Sequence, residues 1–220
     1  METIAENLQA VRDRMAAAAD SCGRTAADIR LIAVTKNQGP EVLPELAANG
    51  VAAYGENRLE HLQAMHATAS ADMGFHFIGR VQGRQLPKIV PYCTAIHSLC
   101  ELNHITRLAR ACDEQSRTIE VFLQVNTAGE VQKAGMEPAE LAERIALVRT
   151  FPQLELQGLM CMAPDRSVAN EATIRSGFAA LRELAADHGL ARLSMGMSGD
   201  YELAIAEGAT DLRIGTTLFV

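Results

Sequence analysis

No apolar run in this chain approaches the roughly 18 residues that a membrane-spanning helix needs, so no membrane association is expected. The first twenty residues, METIAENLQAVRDRMAAAAD, lack the basic stretch followed by an apolar one that marks a secretory leader. No Lys/Arg cluster exceeds a few residues and the net charge is −7. Nucleic-acid partners are disfavoured on both counts, because phosphate-backbone binders concentrate positive charge on one face. There is no C-x-x-C pair, and the five cysteines (Cys22, Cys93, Cys100, Cys112, Cys161) lie far apart. An odd, scattered set predicts reduced thiols in a cytoplasmic protein rather than a disulfide framework. Linkers, low-complexity stretches and internal repeats are also missing, which predicts one domain spanning residues 1–220.

What is present is an ordinary globular composition, 48% hydrophobic and 21% charged. Its patterning alternates between two kinds of segment. Short β-branched or apolar runs occur at Arg30–Lys36, Val51–Gly55, Gly74–Gly79, Thr94–Leu99, Ile119–Asn126, Leu154–Met160, Arg192–Met197 and Asp211–Gly215, giving eight candidate strands. Amphipathic stretches separate most of them: Glu41–Asn49 before Gly50, Glu101–Gln115, Ala139–Arg149 after Pro138, and Glu171–His188 before Gly189. The segment after the third strand is short and interrupted by Pro87. Alternating strands and helices predict a parallel sheet in an α/β fold. Eight units in this length fit a compact (β/α)8 TIM barrel preceded by one extra N-terminal helix. Strand counting does not show closure, and a doubly wound open sheet fits the same pattern.

In a barrel, function lies at the C-terminal strand ends. Lysine is scarce, with Lys36, Lys88 and Lys133 against seventeen arginines, and Lys36 ends an apolar strand. A desolvated amine can lose its proton and attack a carbonyl, whereas a guanidinium cannot; a lysine reaching from the strand end to solvent fits the position equally. The last two strand ends carry GMSGD (Gly196–Asp200) and RIGTT (Arg213–Thr217). Small residues there let backbone N–H groups close on a phosphate, with Ser198 and Thr216 adding hydroxyls. Two glycine-containing turns of purely structural use would look the same. GMSGD is neither a hydrolase nucleophile elbow nor a dinucleotide fingerprint. A phosphorylated aldehyde unites these features, with Lys36 on the carbonyl and the two late loops on the phosphate. Arg213 would then reach the ring nitrogen, disfavouring its protonation and weakening the ring as an electron sink; a salt bridge in the barrel mouth is the alternative for Arg213.

These segments resemble the pyridoxal phosphate homeostasis protein family from about Ile29 onward. The motifs are AVTK (Ala33–Lys36), YGEN (Tyr54–Asn57), FHFIGRVQ (Phe75–Gln82), VNTAGEVQKAG (Val125–Gly135), SMGMSGD (Ser194–Asp200) and RIGTTLF (Arg213–Phe219). The resemblance implies an alanine-racemase N-terminal-domain type of barrel holding pyridoxal 5′-phosphate as a Schiff base on Lys36. It implies that Ser198, Gly215 and Thr216 hold the phosphate, that Gly199 also contributes to cofactor binding, that Arg213 faces the pyridine nitrogen, and that Asn57 lies nearby. Two departures stand out. Gln82-Gly83-Arg84-Gln85 replaces the family's Q-S-N-K, and the chain stops at Phe219-Val220 where relatives continue with glycine and a basic residue, an end expected to weaken packing over the mouth.

The function implied is a carrier that buffers and delivers the cofactor, with apo-forms of pyridoxal phosphate enzymes as partners, and a monomer. An amino-acid racemase or decarboxylase, or an unrelated phosphate-binding barrel enzyme, are the competing readings. No tyrosine among Tyr54, Tyr92 and Tyr201 is evidently placed opposite Lys36 as a second proton-transfer group, and inversion needs one. His76 and His97 read as hydrogen-bonded interior histidines rather than metal ligands, with His76 a candidate to touch the pocket. Cys161 reads as a reactive thiol at the mouth or as a small buried hydrophobe. Met160, Met162, Met195 and Met197 fit a soft lining for an aromatic ring or plain core. Glu130 and Lys133 read as a solvated ion pair.

Overall fold

The computed structural model describes residues 3–127, 134–164, 166, 167 and 169–220. Its centre is a closed barrel of eight parallel strands in sequence order. They are β1 (Arg30–Val34), β2 (Ala53–Glu56), β3 (Gly74–Phe77), β4 (Ala95–Leu99), β5 (Ile119–Gln124), β6 (Leu154–Met160), β7 (Arg192–Met197) and β8 (Asp211–Ile214). Closure comes from β1 pairing with β8, with Ile32 opposite Arg213 and Ala33 opposite Ile214. The open-sheet alternative is thereby removed.

The N-terminal pattern forms α1 (Ile4–Ser21). Thr3 caps it: the Glu6 N–H donates to Thr3 Oγ1 at 3.2 Å and the Thr3 N–H to Glu6 Oε2 at 2.8 Å, a reciprocal capping box. Its buried face is Leu8, Val11, Met15 and Ala19. Asn7, also buried, donates from Nδ2 to the carbonyls of Leu218 (3.3 Å) and Val220 (3.2 Å), tying α1 to the last residues of the chain.

The connecting helices are α2 (Leu43–Ala48), α3 (Leu59–His66), α4 (Leu86–Ile89), α5 (Leu102–Glu114), α6 (Leu141–Arg149), α7 (Glu171–Asp187) and α8 (Tyr201–Ala206). The segment after β3 is the shortest because Pro87 and Pro91 break it: α4 is one turn between two 3-10 turns, Gly83–Gln85 and Val90–Tyr92. Among the described residues, no helix is long and apolar enough to cross a membrane.

The main apolar core lies between the strands and the helix ring, with Tyr54, Phe75, Phe77, Leu108, Phe178 and Leu212 all buried there. The barrel lumen differs from the branched aliphatic layers usual in this architecture. Its floor is charged: Asp211 accepts from Arg30 Nε (2.6 Å) and from Arg192 Nη2 (2.6 Å) and Nε (3.1 Å), while Arg30 Nη2 reaches Glu120 Oε2 at 3.1 Å. Two guanidinium and two carboxylate groups cancel. Above them His97 stacks on Phe122 with ring centroids 4.3 Å apart. The continuous apolar strands are thus apolar mainly on the outer face, while charged and histidine side chains share the lumen with Phe122.

Candidate functional site

At the C-terminal end of the barrel a cavity of about 570 Å³ is lined by Lys36, Asn57, Met160, Ser198, Gly199, Arg213, Gly215 and Thr216, with Val34, Ile78, Gly79, Arg80, Met162, Pro164, Arg166, Met197 and Asp200. That volume falls in the usual range for small-molecule sites. All seven residues singled out from the sequence border this one space.

Each is placed by its strand. Thr35 continues the β1 ladder by one bond, its N–H donating to the Gly55 carbonyl at 3.2 Å, and the chain then turns, with the Gln38 N–H on the Thr35 carbonyl at 2.8 Å. Lys36 projects from this turn. Its side chain borders the cavity but is exposed, so the expected desolvation of the amine is not supplied by the polypeptide: the mouth is open. Asn57 is held by close packing, since a Cβ on Gly79 would run into the Asn57 backbone; glycine is required there. The Ser98 hydroxyl, on a short hydrogen bond, donates to the Gly79 carbonyl and fixes the two loops further.

The two late loops meet at one hydroxyl. Ser198 Oγ accepts from the backbone N–H groups of Gly215 (3.2 Å) and Thr217 (3.4 Å). Two amides converging on one oxygen form the kind of concavity that receives an anionic oxygen, and Ser198 Oγ stands in for that oxygen. A Cβ on Gly215 would sit 3.2 Å from Val34 Cβ and from the Val34 carbonyl oxygen, so a side chain there would press on the end of β1. Gly199 is open on its cavity side, where a Cβ would meet only Arg166 Cδ, at 3.9 Å. Arg166 itself pairs with Glu171 at 2.7 Å.

Arg213 is buried, and the salt bridge considered for it is not what is found. Nη1 donates to Ser194 Oγ (2.6 Å) and Nη2 to the Cys161 carbonyl (2.9 Å), both neutral acceptors. Burial lowers its pKa, opposed by Cys161, Asp200 and Asp211; an arginine nonetheless stays cationic. Ser194 Oγ also lies 2.7 Å from His97 Nδ1, and His97 Nε2 lies 2.9 Å from His76 Nδ1, so one hydrogen-bonded chain runs from Arg213 to His76. Burial, reinforced by the Arg30 and Arg192 charges, drives the His76 pKa down to about 3. Burial and neighbouring His76 and arginines push His97 well below its ordinary value. Both rings are neutral, so the column between the charged floor and Arg213 carries no charge. His76 does not border the cavity; it acts on the mouth only through His97, Ser194 and Arg213.

Among the methionines, Met160, Met162 and Met197 border the cavity, while Met195 is core. Cys161 is buried, which fits the small-hydrophobe reading. Tyr54 and Tyr201 are buried in the core, and no tyrosine is among the lining residues described. Arg84 bonds Gln82 (3.4 Å) and stays out of the cavity. Glu130 and Lys133 lie outside the described residues, which also hold no group of three or more His, Cys, Asp or Glu suited to a metal ion. Sequence reasoning missed Arg80 and Arg166 as lining residues. Arg80 had a signal in its strand-end position; Arg166, in the loop after β6, had none.

The fold is a closed barrel of eight parallel strands, and the family model of the alanine racemase N-terminal domain matches residues 3–220. Sequence comparison narrows the class. The chain is 39% identical to the pyridoxal phosphate homeostasis protein of Pseudomonas aeruginosa, over all of this chain and 96% of that one. It is 35% identical to that of Aquifex aeolicus, covering 97% and 96%. The structure of PipY of Synechococcus elongatus with PLP bound superposes with a TM-score of 0.87 at 33% identity, covering 99% of this chain and 100% of that one. An alanine racemase of Clostridium difficile shares the fold at a TM-score of 0.75 and 13% identity, with 56% of its length matched. The chain belongs to the pyridoxal phosphate homeostasis protein family.

Proposed function

We propose that this chain holds pyridoxal 5′-phosphate in the cavity at the barrel mouth and serves the intracellular buffering and delivery of that cofactor, without catalytic turnover of its own. The observation that carries the reading is convergence: one amine after β1, one buried guanidinium on β8 hydrogen-bonded only to neutral acceptors, and one cradle formed by the amides after β8 and the Ser198 hydroxyl after β7 meet at a single cavity of about 570 Å³. The cofactor supplies an aldehyde that condenses reversibly with a primary amine. Lys36 is the attachment point. Ser198, Gly199, Gly215 and Thr216 take the phosphate, Arg213 donates toward the pyridine nitrogen, and Asn57 lies alongside.

Arg213 argues for a carrier over an enzyme. A fixed cation at the ring nitrogen keeps that nitrogen unprotonated and blunts its capacity to stabilise a carbanion. The exposed Lys36 and open mouth suit handover, whereas catalysis profits from excluded water. The whole chain, residues 1–220, acts as one cytoplasmic monomeric unit, and apo-forms of pyridoxal phosphate enzymes are the recipients.

Protein incubated with the cofactor, reduced with borohydride and digested will carry the added mass on the peptide containing Lys36, and Lys36→Ala will carry none. Adduct on another residue overturns the assignment. Chiral analysis after incubation with L-amino acids is expected to show no inversion; sustained turnover favours a racemase instead.

A further inference from the structure

Glu56, within the Tyr54–Asn57 motif, does not border the cavity, yet its side chain is fully buried. Its Oε1 accepts a short hydrogen bond from Thr35 Oγ1. Its Oε2 lies 2.6 Å from His61 Nδ1, and His61 Nε2 lies 2.9 Å from the Gln38 carbonyl oxygen. Thr35 and Gln38 bracket Lys36 and are themselves joined across the turn, the Gln38 N–H on the Thr35 carbonyl. The turn bearing the lysine is therefore gripped on both sides by one buried acid and one histidine on α3.

Hydrogen-bond chemistry fixes the proton count. The Gln38 carbonyl only accepts, so His61 Nε2 must carry a hydrogen. The other ring nitrogen then faces a carboxylate oxygen, and a bond at 2.6 Å needs a proton between them, whichever atom holds it. Thr35 donates to the remaining oxygen. Two acceptors, Glu56 Oε2 and His61 Nδ1, thus share a single proton. Burial raises the Glu56 pKa, opposed by its bonds to Thr35 and His61 and by the His61 charge. No other charged side chain among those described acts on Glu56. Lys36 on the turn, and Arg58 and Glu60 at the start of α3, are exposed, and β3 places the apolar Phe77 beside Glu56.

We infer that Glu56 and His61 are positioning residues for Lys36, and that the one proton they share clamps the turn from Thr35 to Gln38 and sets how long an aldehyde ligand is retained there. This rests on Lys36 being the attachment point. With the proton in place the turn is fixed. Once alkaline pH removes it, a carboxylate and a ring lone pair oppose each other, His61 leaves either Glu56 or Gln38, and the lysine gains freedom.

The test uses the full-length protein loaded with pyridoxal 5′-phosphate, whose loss to a trap is followed between about pH 6 and pH 10. His61→Leu removes the clamp, and loss is expected to speed up about ten- to hundredfold near neutral pH, the range for losing hydrogen bonds to a charged group. Glu56→Gln is the sharper variant. Its carboxamide N–H donates to His61 Nδ1 while its oxygen still accepts from Thr35, so the clamp persists with no proton to lose. Loss is then expected to stay slow, with the alkaline acceleration of the wild type diminished. In cofactor-free protein, the Gln38 amide is expected to lose hydrogen-exchange protection in His61→Leu and keep it in Glu56→Gln. A Glu56→Gln profile that tracks the wild type across the range overturns the shared-proton clamp. So does a His61→Leu protein with unchanged loss and unchanged Gln38 protection. Failure of the wild type to attach the cofactor at Lys36 overturns the site assignment instead, and the Gln38 protection data still decide the clamp.

Discussion

The two ends of the barrel are both rich in arginine and use it in opposite ways. At the floor, Arg30 and Arg192 share the fully buried Asp211, and Glu120 completes the balance. Every charge there is answered within the chain. At the mouth, Arg213 is buried more deeply than either floor arginine, and its hydrogen bonds go to a hydroxyl and a carbonyl, with the Asp200 and Asp211 charges acting on it without bonding it. Taking a guanidinium out of water costs several kcal/mol unless something compensates. Neutralisation at the floor reads as structure. The lack of a directly bonded carboxylate on Arg213 at the mouth, beside an amine and a cradle of amides, reads as a site shaped for a ligand with acceptors of its own.

The contrast breaks if floor and mouth respond alike to mutation. Asp211→Asn leaves two arginines around a neutral side chain, and removing one partner of a buried ion pair costs about 3–5 kcal/mol. We expect a large drop in denaturation midpoint, with cofactor stoichiometry per folded molecule unchanged. Loss of cofactor binding at full stability would place the floor in the site.

The neutral column between the ends gives the next effect. His76 and His97 have folded pKa values below those of the unfolded chain. Below about pH 6.5 the unfolded chain therefore binds protons that the native one refuses, and stability falls with pH. Two such groups cost about 2–3 kcal/mol for the first unit below that value. Glu56, whose folded pKa is raised, works the other way, adding stability as pH falls through its folded pKa. Urea denaturation at about pH 7.5 and about pH 5.5 measures the difference, and His97→Gln is expected to flatten it. An acid limb unchanged in that variant would mean that His97 is already charged in the fold, and the column would no longer separate floor from mouth.

Much of the fold was legible because each strand is a short apolar run closed by Gly, Pro or a polar residue. Most boundaries in the structure fall within two residues of those runs. Closure was not legible: it rests on β1 finding β8, and no local pattern encodes that. At the site, Lys36, Ser198, Gly215 and Thr216 stood out because strand ends and small-residue loops have a local signature. The lumen had none. His97 and Ser194 are 97 positions apart and meet only in the closed barrel, so His76 looked like a possible pocket residue rather than the base of a relay. The grip of Glu56 and His61 on the lysine turn was hidden likewise, since α3 was not delimited from the sequence at all.

The smallest effect separates cradle from scaffold most cleanly. Ser198 sits in a loop, half-buried, and accepts from two amides that water or a ligand oxygen can satisfy in its place. Deleting its hydroxyl in Ser198→Ala leaves no buried donor stranded, so the denaturation midpoint is expected to hold. Affinity has no such substitute: a hydroxyl donating to a phosphate oxygen is a charge-assisted bond, and losing it costs about 1.5–2 kcal/mol, or roughly ten- to thirtyfold in Kd. The same change with inorganic phosphate as competitor should weaken phosphate and cofactor together, because both use the cradle. If Ser198→Ala lowered stability and left affinity untouched, the hydroxyl would be holding the β7 and β8 loops together for their own sake. The mouth would then be a scaffold like the floor.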